Sequence, residues 1–332
     1  MKKKAISLMS GGLDSAVATR LVLEQQIEVT GLHFTSFFTS RKDRGKNLRA
    51  QKTADELRIK LIILDKGSEY LDIVKHPKYG YGKNMNPCID CRIFMLQKTK
   101  RLMDDEGAWF VITGEVLGQR PMSQRRETME RIERDSGLEG LILRPLSAHH
   151  FPPTIPEQEG MVDRKQLLNI SGRSRRIQYE LVKKYGLKAF HNPGGGCLLT
   201  DPIFSKKMRD LLKKDPQFTT KDIELLTIGR HFRLGEKTKL ILGRNKEENE
   251  ILQNMWESGY IIVSPVDFKG PQGILKGPIN DKIIKNVAHI IGYFAKHNES
   301  IIRITINNGH IWTHEIKKTD IDPQAFMIGE DS

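Results

Sequence analysis

Seven residues near the amino end, Met9-Ser10-Gly11-Gly12-Leu13-Asp14-Ser15, constrain this chain more than any other stretch. The apolar run Ala5-Ile6-Ser7-Leu8 precedes them, and a helical spacing of Ala16, Val17, Leu21 and Val22 follows. Strand, glycine turn and helix in that order aim backbone N–H groups at an anion held at the helix N-terminus. Gly11 and Gly12 let the main chain bend sharply and approach a phosphate. Ser10 and Ser15 add hydroxyl donors. Asp14 is the odd member, because a carboxylate repels phosphate unless a metal or its own capping bonds offset the repulsion. No Gly-Lys-Ser/Thr follows, so this is not a Walker-type loop.

The residues after the loop keep alternating between strand and helix signals. Glu28 to Phe34 reads as a second strand, with His33 near its end. A basic stretch, 41–49, leads into a helix through Ala54 and Leu57, and Leu61-Ile62-Ile63-Leu64 reads as a short buried strand. A glycine-rich loop at 79–84 precedes a helix through Ile93, Leu96 and Leu102 that ends near Gly107. Trp109 to Gly114 is then a further strand with a turn at its end. This alternation predicts an α/β fold with a doubly wound parallel sheet. Ligands of such sheets lie beyond the carboxyl ends of the strands, which puts residues 10–15, His33 and Thr113-Gly114 along one edge. Around Asp215-Pro216-Gln217-Phe218 the pattern changes. Strands at 238–243, 260–263 and 301–306 and a helix through Ile283, Val287, Ile290 and Ile291 predict a small α+β domain. The expected domains are therefore 1–218 and 219–332, a natural division for 332 residues.

The net charge of +13 points to a polyanionic partner. Residues 225–332 hold 14 basic and 13 acidic side chains, so all but one of the net charges fall in the half that carries the loop. Arg120, Arg125, Arg126, Arg131 and Arg134 are interleaved with glutamates, which reads partly as ion pairing on a solvated helix. The Ser171-Gly172-Arg173-Ser174-Arg175-Arg176 segment is more one-sided, and it offers guanidinium groups to a phosphate backbone at a helix start. Met1-Lys2-Lys3-Lys4 precedes an apolar run too short for a secretory signal, and no segment approaches the length of a membrane span. A cytoplasmic location with no membrane partner is expected.

Three cysteines make a poor disulfide framework and suggest chemistry instead. Cys88-Ile89-Asp90-Cys91 opens a helix, where the dipole favours thiolate. Cys197 follows Pro193-Gly194-Gly195-Gly196, which lets its backbone approach another group closely. Three thiolates can hold a [4Fe-4S] cluster with one iron open to hydrosulfide. A zinc site completed by His191 or water is a second reading. A persulfide on a pair such as Cys91 and Cys197, closing afterwards to a disulfide, is a third.

The Ser-Gly-Gly-Leu-Asp-Ser wording resembles the PP-loop of the N-type ATP pyrophosphatases, which cleave ATP between its α and β phosphates and leave AMP on the activated atom. The first 200 or so residues resemble the tRNA thiouridine synthetases of that class. Asn86-Pro87-Cys88-Ile89-Asp90-Cys91 is similar to the first-cysteine region of the 2-thiouridine synthetases. There Cys91 matches the catalytic cysteine, and Cys88 a position that is cysteine in the iron-sulfur branch. Cys197 matches the second, sulfur-bearing cysteine. Thr113-Gly114-Glu115-Val116-Leu117-Gly118-Gln119 is closer to the 4-thiouridine synthetases. The stretch 242–249, Leu-Gly-Arg-Asn-Lys-Glu-Glu-Asn, resembles the glycine-arginine-asparagine motif of the NFACT RNA-binding domain. That implies an RNA contact for Arg244, beside the plainer reading of a helix capped by Asn245.

These resemblances imply an ATP-dependent tRNA sulfurtransferase making 4-thiouridine or 2-thiouridine. ATP would lie on Met9, Ser10, Gly11, Gly12, Leu13, Asp14 and Ser15, with its adenosine near His33, Thr113 and Gly114. Mg²⁺ would bridge the phosphates with help from Asp14, and Cys88, Cys91 and Cys197 would hold the cluster. Gln119, Arg120, Arg173, Arg175 and Arg176 would position tRNA, and sulfur would come from sulfide or a cysteine desulfurase. A PP-loop thiolase or amide synthetase acting on a small molecule, and a non-enzymatic RNA-binding factor, are the alternatives.

Overall fold

A computed structural model describes residues 3–39, 49–190, 196–255, 260–319 and 321–329. The expectations for most of the basic stretch after Ser40, for His191 and for Pro193-Gly194-Gly195 fall outside the described residues. The chain divides into two compact units, Met1–Leu198 and Leu199–Ser332.

In the first unit the chain runs β1 (Lys4–Leu8), α1 (Leu13–Leu23), β2 (Glu28–Thr35), α2 (Arg49–Leu57), β3 (Leu61–Asp65), α3 (Glu69–Lys75) and α4 (Cys88–Glu106). It continues through β4 (Phe110–Ile112), α5 (Arg126–Ser136), β5 (Ile142–Leu143), the short α6 (Ile155–Gln158) and α7 (Arg176–Tyr185). The five strands are parallel in the order β3-β2-β1-β4-β5. Ile6 lies opposite Thr30 on one side and Val111 on the other. The pleat sends alternate residues to opposite faces. Ala5, Phe110 and Ile112 pack with α1, α2 and α7, through Val17, Leu21, Leu57 and Val182. Ile6, Leu8 and Val111 pack with α4 and α5, through Leu96, Met103 and Ile132. Both faces are thus covered, as a purely parallel sheet requires. Gly107 ends α4 in the left-handed conformation at φ 64°, where the sequence placed the end of that helix.

The second unit starts with α8 (Pro202–Lys214) and α9 (Thr220–Leu225). Then come β6 (Arg230–Arg233), β7 (Lys239–Leu242), α10 (Lys246–Asn254), β8 (Tyr260–Pro265), β9 (Gly273–Lys276), α11 (Asp281–Phe294), β10 (Ile301–Asn307), β11 (Ile311–Lys317) and β12 (Met327–Ile328). The strands form one antiparallel sheet, β11-β10-β8-β9-β7-β6-β12. One face receives α11 through Ile283, Val287, Ile290 and Ile291, and Ile241 and Ile274 on the other face pack with Leu252 of α10. The expected division at 218/219 lies between α8 and α9, whereas the compact units part ahead of α8. An ion pair from Asp210 on α8 to Arg233 on β6 ties that helix to the second sheet. No described helix is long and apolar enough to cross a membrane.

Candidate active site

The loop occupies the carboxyl end of β1, and two helices begin at it. Gly12 stands as N-cap of α1 with no side-chain cap, so the first-turn N–H groups of α1 are left for a ligand. Gly11 has φ +72°, and a Cβ there would lie 2.6 Å from the Ala50 nitrogen, so the first turn of α2 closes on the loop. Ser10 Oγ lies 3.3 Å from both the Gly12 nitrogen and Ser15 Oγ, and Ser15 Oγ donates to the Gly12 carbonyl at 2.9 Å. His33 Nδ1 lies 2.7 Å from the Met9 carbonyl oxygen, and Met9 N donates to Leu32 O at 2.8 Å. His33 therefore braces the entry to the loop from the neighbouring strand.

Asp14 is held rather than free. Gln119 Nε2 donates to Asp14 Oδ2 at 2.7 Å, Gln178 Nε2 donates to Oδ1 at 3.3 Å, and Arg175 Nε lies 3.6 Å from Oδ2. Gln178 is fully buried and also donates to Gln119 Oε1 at 3.4 Å. This accounts for a carboxylate in an anion-binding turn: its charge is spent on buried donors and one guanidinium, not aimed at a phosphate. Each Asp14 oxygen already accepts one hydrogen bond.

Gln119, expected at tRNA phosphates, is 6% exposed and belongs to this network. Arg175 belongs to it too, while Arg120, Arg173 and Arg176 are exposed, Arg176 pairing with Glu180 at 2.9 Å. A parallel bridge between Leu117 and Ser171, with Gly172 N donating to Leu117 O at 2.7 Å, draws the serine-arginine segment to the loop. In the second unit Asn245 caps α10 by accepting from Glu248 N at 2.9 Å, and Arg244 is paired with Glu248.

Gly114 packs directly on the loop, for a Cβ there would lie 2.6 Å from Asp14 C and Ser15 N. The next residue, Glu115, is 3% exposed and joins the loop to the thiols. Its Oε2 accepts from Thr113 Oγ1 at 3.2 Å and from Arg144 Nε at 3.3 Å, and its Oε1 lies 3.1 Å from Arg92 Nε. Burial works against the Glu115 charge, but Arg92 and Arg144 outweigh it and hold the carboxyl below the usual range. Arg92 is the chain neighbour of Cys91.

Cys88 and Cys91 stand one turn apart at the start of α4, and an antiparallel bridge between Thr39 and Cys197 brings the third thiol to the chain beyond β2. The phenol of the buried Tyr70 senses all three. Burial first, then Cys91 and Cys197, push its pKa well above the ordinary value, with Cys88 adding to them. The thiols differ. Burial pushes Cys88 up, only partly offset by the hydrogen bond from Asn86 Nδ2 at 3.0 Å and by Arg120. Burial would raise Cys91 as well, but the Lys66 ammonium, 3.0 Å from its sulfur, and a hydrogen bond from Tyr70 bring it below its ordinary value. The downward shift expected from the helix dipole is thus found at Cys91 and not at Cys88, and it comes from a lysine and a phenol. Lys66 follows β3 directly, at the ligand edge of the sheet, and its ammonium lies 4.4 Å above the Tyr70 ring.

A metal cluster fits this arrangement poorly. Among the described residues no three ligating side chains are gathered closely enough to hold a metal ion. Lys66 and Tyr70 engage the Cys91 sulfur, and Asn86 engages Cys88.

Lys66→Met removes the cation and leaves the burial. The Cys91 pKa is expected to rise above its ordinary value, so that alkylation of the Cys91 peptide, followed by mass spectrometry, moves to higher pH. An unchanged profile would show that Lys66 does not set the charge of Cys91.

Residues 1–150 match the family described as Thiamine biosynthesis protein (ThiI), and residues 229–326 match the NFACT protein RNA binding domain. The chain is 26% identical over 288 residues to the tRNA-specific 2-thiouridylase MnmA of Pseudomonas fluorescens (strain SBW25), covering 80% of this chain and 70% of that one. It is 34% identical over 151 residues to a probable tRNA sulfurtransferase of Natranaerobius thermophilus, covering 43% and 35%. Among solved structures, a 4-thiouridine synthetase–RNA complex with bound ATP matches at TM-score 0.36 and 22% identity, over 56% of this chain and 52% of that one. The U34-tRNA thiolase NcsA of Methanococcus maripaludis, with its [4Fe-4S] cluster, matches at TM-score 0.35 and 19% identity, over 67% and 70%.

Proposed function

We propose that this chain, whose residues 1–150 match the ThiI family and whose residues 229–326 match the NFACT RNA binding domain, is an ATP-dependent tRNA sulfurtransferase. The observation that carries this reading is the Gly114-Glu115 step. Gly114 packs against the phosphate loop while Glu115 pairs with the arginine beside the activated cysteine. One turn of chain thus serves both halves of a two-step reaction.

In the first step the α1 N-terminus and the loop hydroxyls hold the ATP phosphates. A uridine carbonyl oxygen attacks the α phosphorus and pyrophosphate departs, leaving the base as an adenylate. This converts a poor leaving group into AMP. The target base must be extruded from its stack to reach the site.

In the second step the terminal sulfur of a persulfide on Cys197, charged by a cysteine desulfurase, attacks the adenylated carbon and AMP leaves. The Cys91 thiolate then attacks the Cys197 sulfur of the mixed disulfide, and the thiolated base departs as a Cys91–Cys197 disulfide closes. An external thiol reductant resets the pair. The lowered pKa of Cys91 supports its part as attacking thiolate. Arg120, Arg173 and Arg176, exposed and basic, are proposed contacts to tRNA phosphates.

Purified chain with MgATP is expected to release AMP and pyrophosphate only when tRNA is present. Equal release without RNA, stimulated by a small carboxylic acid or amide, would favour the small-molecule synthetase instead. No cleavage of ATP under any condition would leave an RNA-binding factor.

A further inference from the structure

The second unit holds a cavity of about 580 Å³ between α8, α9 and the strands β6, β7, β9 and β8. Its volume lies in the range of small-ligand sites, and its two sides differ in chemistry.

On one side the acids are already neutralised. Lys276 Nζ lies 2.7 Å from both Asp215 and Asp222, and the Tyr260 hydroxyl donates to Asp222 at 3.0 Å. Arg233 clasps Asp210 through Nε at 3.1 Å and through a second nitrogen. Lys239 stands apart. It is 7% exposed, yet among the described residues its ammonium reaches no carboxylate more closely than 3.9 Å, at the Asp210 oxygen already held by Arg233. Burial, with Arg233 and Lys207 nearby, lowers its pKa to about 8 despite Asp210. At the mouth, Lys214 and Lys237 have no carboxylate partner among the described residues, so five cations face three carboxylates.

A surplus of two positive charges matches a phosphate monoester, which carries about −1.5 to −2 at neutral pH. An inorganic anion would leave most of this volume empty. The remaining wall is apolar and includes Leu225, Ile241, Ile274 and the ring of Tyr260. Such a surface admits the flat face of a base, which stacks on aromatic rings in single-stranded recognition.

We propose that this cavity binds one phosphorylated nucleoside unit, with its phosphate on Lys239 and its base against Tyr260. The unit is either a free nucleotide or the phosphorylated end of an RNA chain.

The test uses the full chain with no ATP added, and the two cavity variants below distinguish binding here from binding at the phosphate loop. Cytidine monophosphate, cytidine and a 5′-phosphorylated oligocytidylate are titrated by calorimetry. The monophosphate is expected to bind and cytidine to bind at least about tenfold more weakly, the loss of a charge-assisted contact. Lys239→Met should weaken the monophosphate about tenfold, and Lys237→Gln, at the exposed mouth where folding is not at stake, several-fold. Preference for the oligonucleotide assigns the site to an RNA end, and preference for the monophosphate assigns it to a free nucleotide. Failure of both phosphorylated probes to bind, or binding that both variants leave unchanged, overturns the proposal. Neither result would bear on sulfur transfer in the first unit.

Discussion

Cys91→Ser is expected to stop sulfur transfer while leaving adenylate formation in place. A serine hydroxyl beside Lys66 does not ionise near neutral pH, so the attack on Cys197 loses its nucleophile. The loss expected is about 10³-fold or more in thiolated product, the scale seen when a covalent nucleophile is removed. Single-turnover assays following AMP or pyrophosphate on one side and thionucleoside on the other separate the two steps. Pyrophosphate release should persist, because nothing in the loop depends on the thiol. Thiolation that survives Cys91→Ser would remove this cysteine from the reaction. Parallel loss of both products would make it a structural residue.

Asp14→Ala should do the reverse, ending AMP formation and sparing RNA affinity. Gln119, Gln178 and Arg175 all point at this carboxylate. Its removal leaves the buried Gln119 amide without this acceptor, at a cost of about 1–3 kcal/mol. The affected groups sit against the first turn of α1, where the phosphates must be aligned, so the drop in AMP release is put at about 10²-fold or more. The basic residues proposed to meet tRNA, Arg120, Arg173 and Arg176, lie outside that carboxylate's hydrogen bonds. Binding of tRNA measured beside AMP release distinguishes the cases. Equal loss of both would mean that Asp14 supports the fold rather than the chemistry.

Local signals carried much of this into the sequence. The glycine turn between an apolar strand and a helix is a local signal, and so are the apolar runs that became β1, β2 and β3, although β3, expected to be buried, lies at the sheet edge with Ile63 44% exposed. The parallel order follows from their alternation with helices. What the sequence hid depends on residues far apart in the chain. Gln178 lies 164 positions from the carboxylate it bonds, and nothing near Gln178 marks it as part of a nucleotide loop. Gln119 looked like a surface contact because its neighbour Arg120 is one. Lys66 had one usable signal, its place just past the carboxyl end of β3, where ligands of such sheets gather. Tyr70 had none, since a buried aromatic on a short helix ordinarily means packing.

The second unit was harder to read. Strands β6, β9 and β12 are two to four residues long, and β11 runs along the sheet edge with Ile311 and Trp312 exposed, so neither length nor alternation marked them. The placement of α8 turned on a tertiary ion pair, Asp210 with Arg233, rather than on any composition change.

The central claim is that the phosphate loop and the thiols around Tyr70 form one sulfur-transfer centre acting on tRNA. Mass spectrometry of nucleosides from tRNA of cells lacking this chain tests it most directly. A thiouridine should be missing, restored by the wild-type chain and by neither Asp14→Ala nor Cys91→Ser. A thionucleoside profile unchanged by loss of the chain would contradict it.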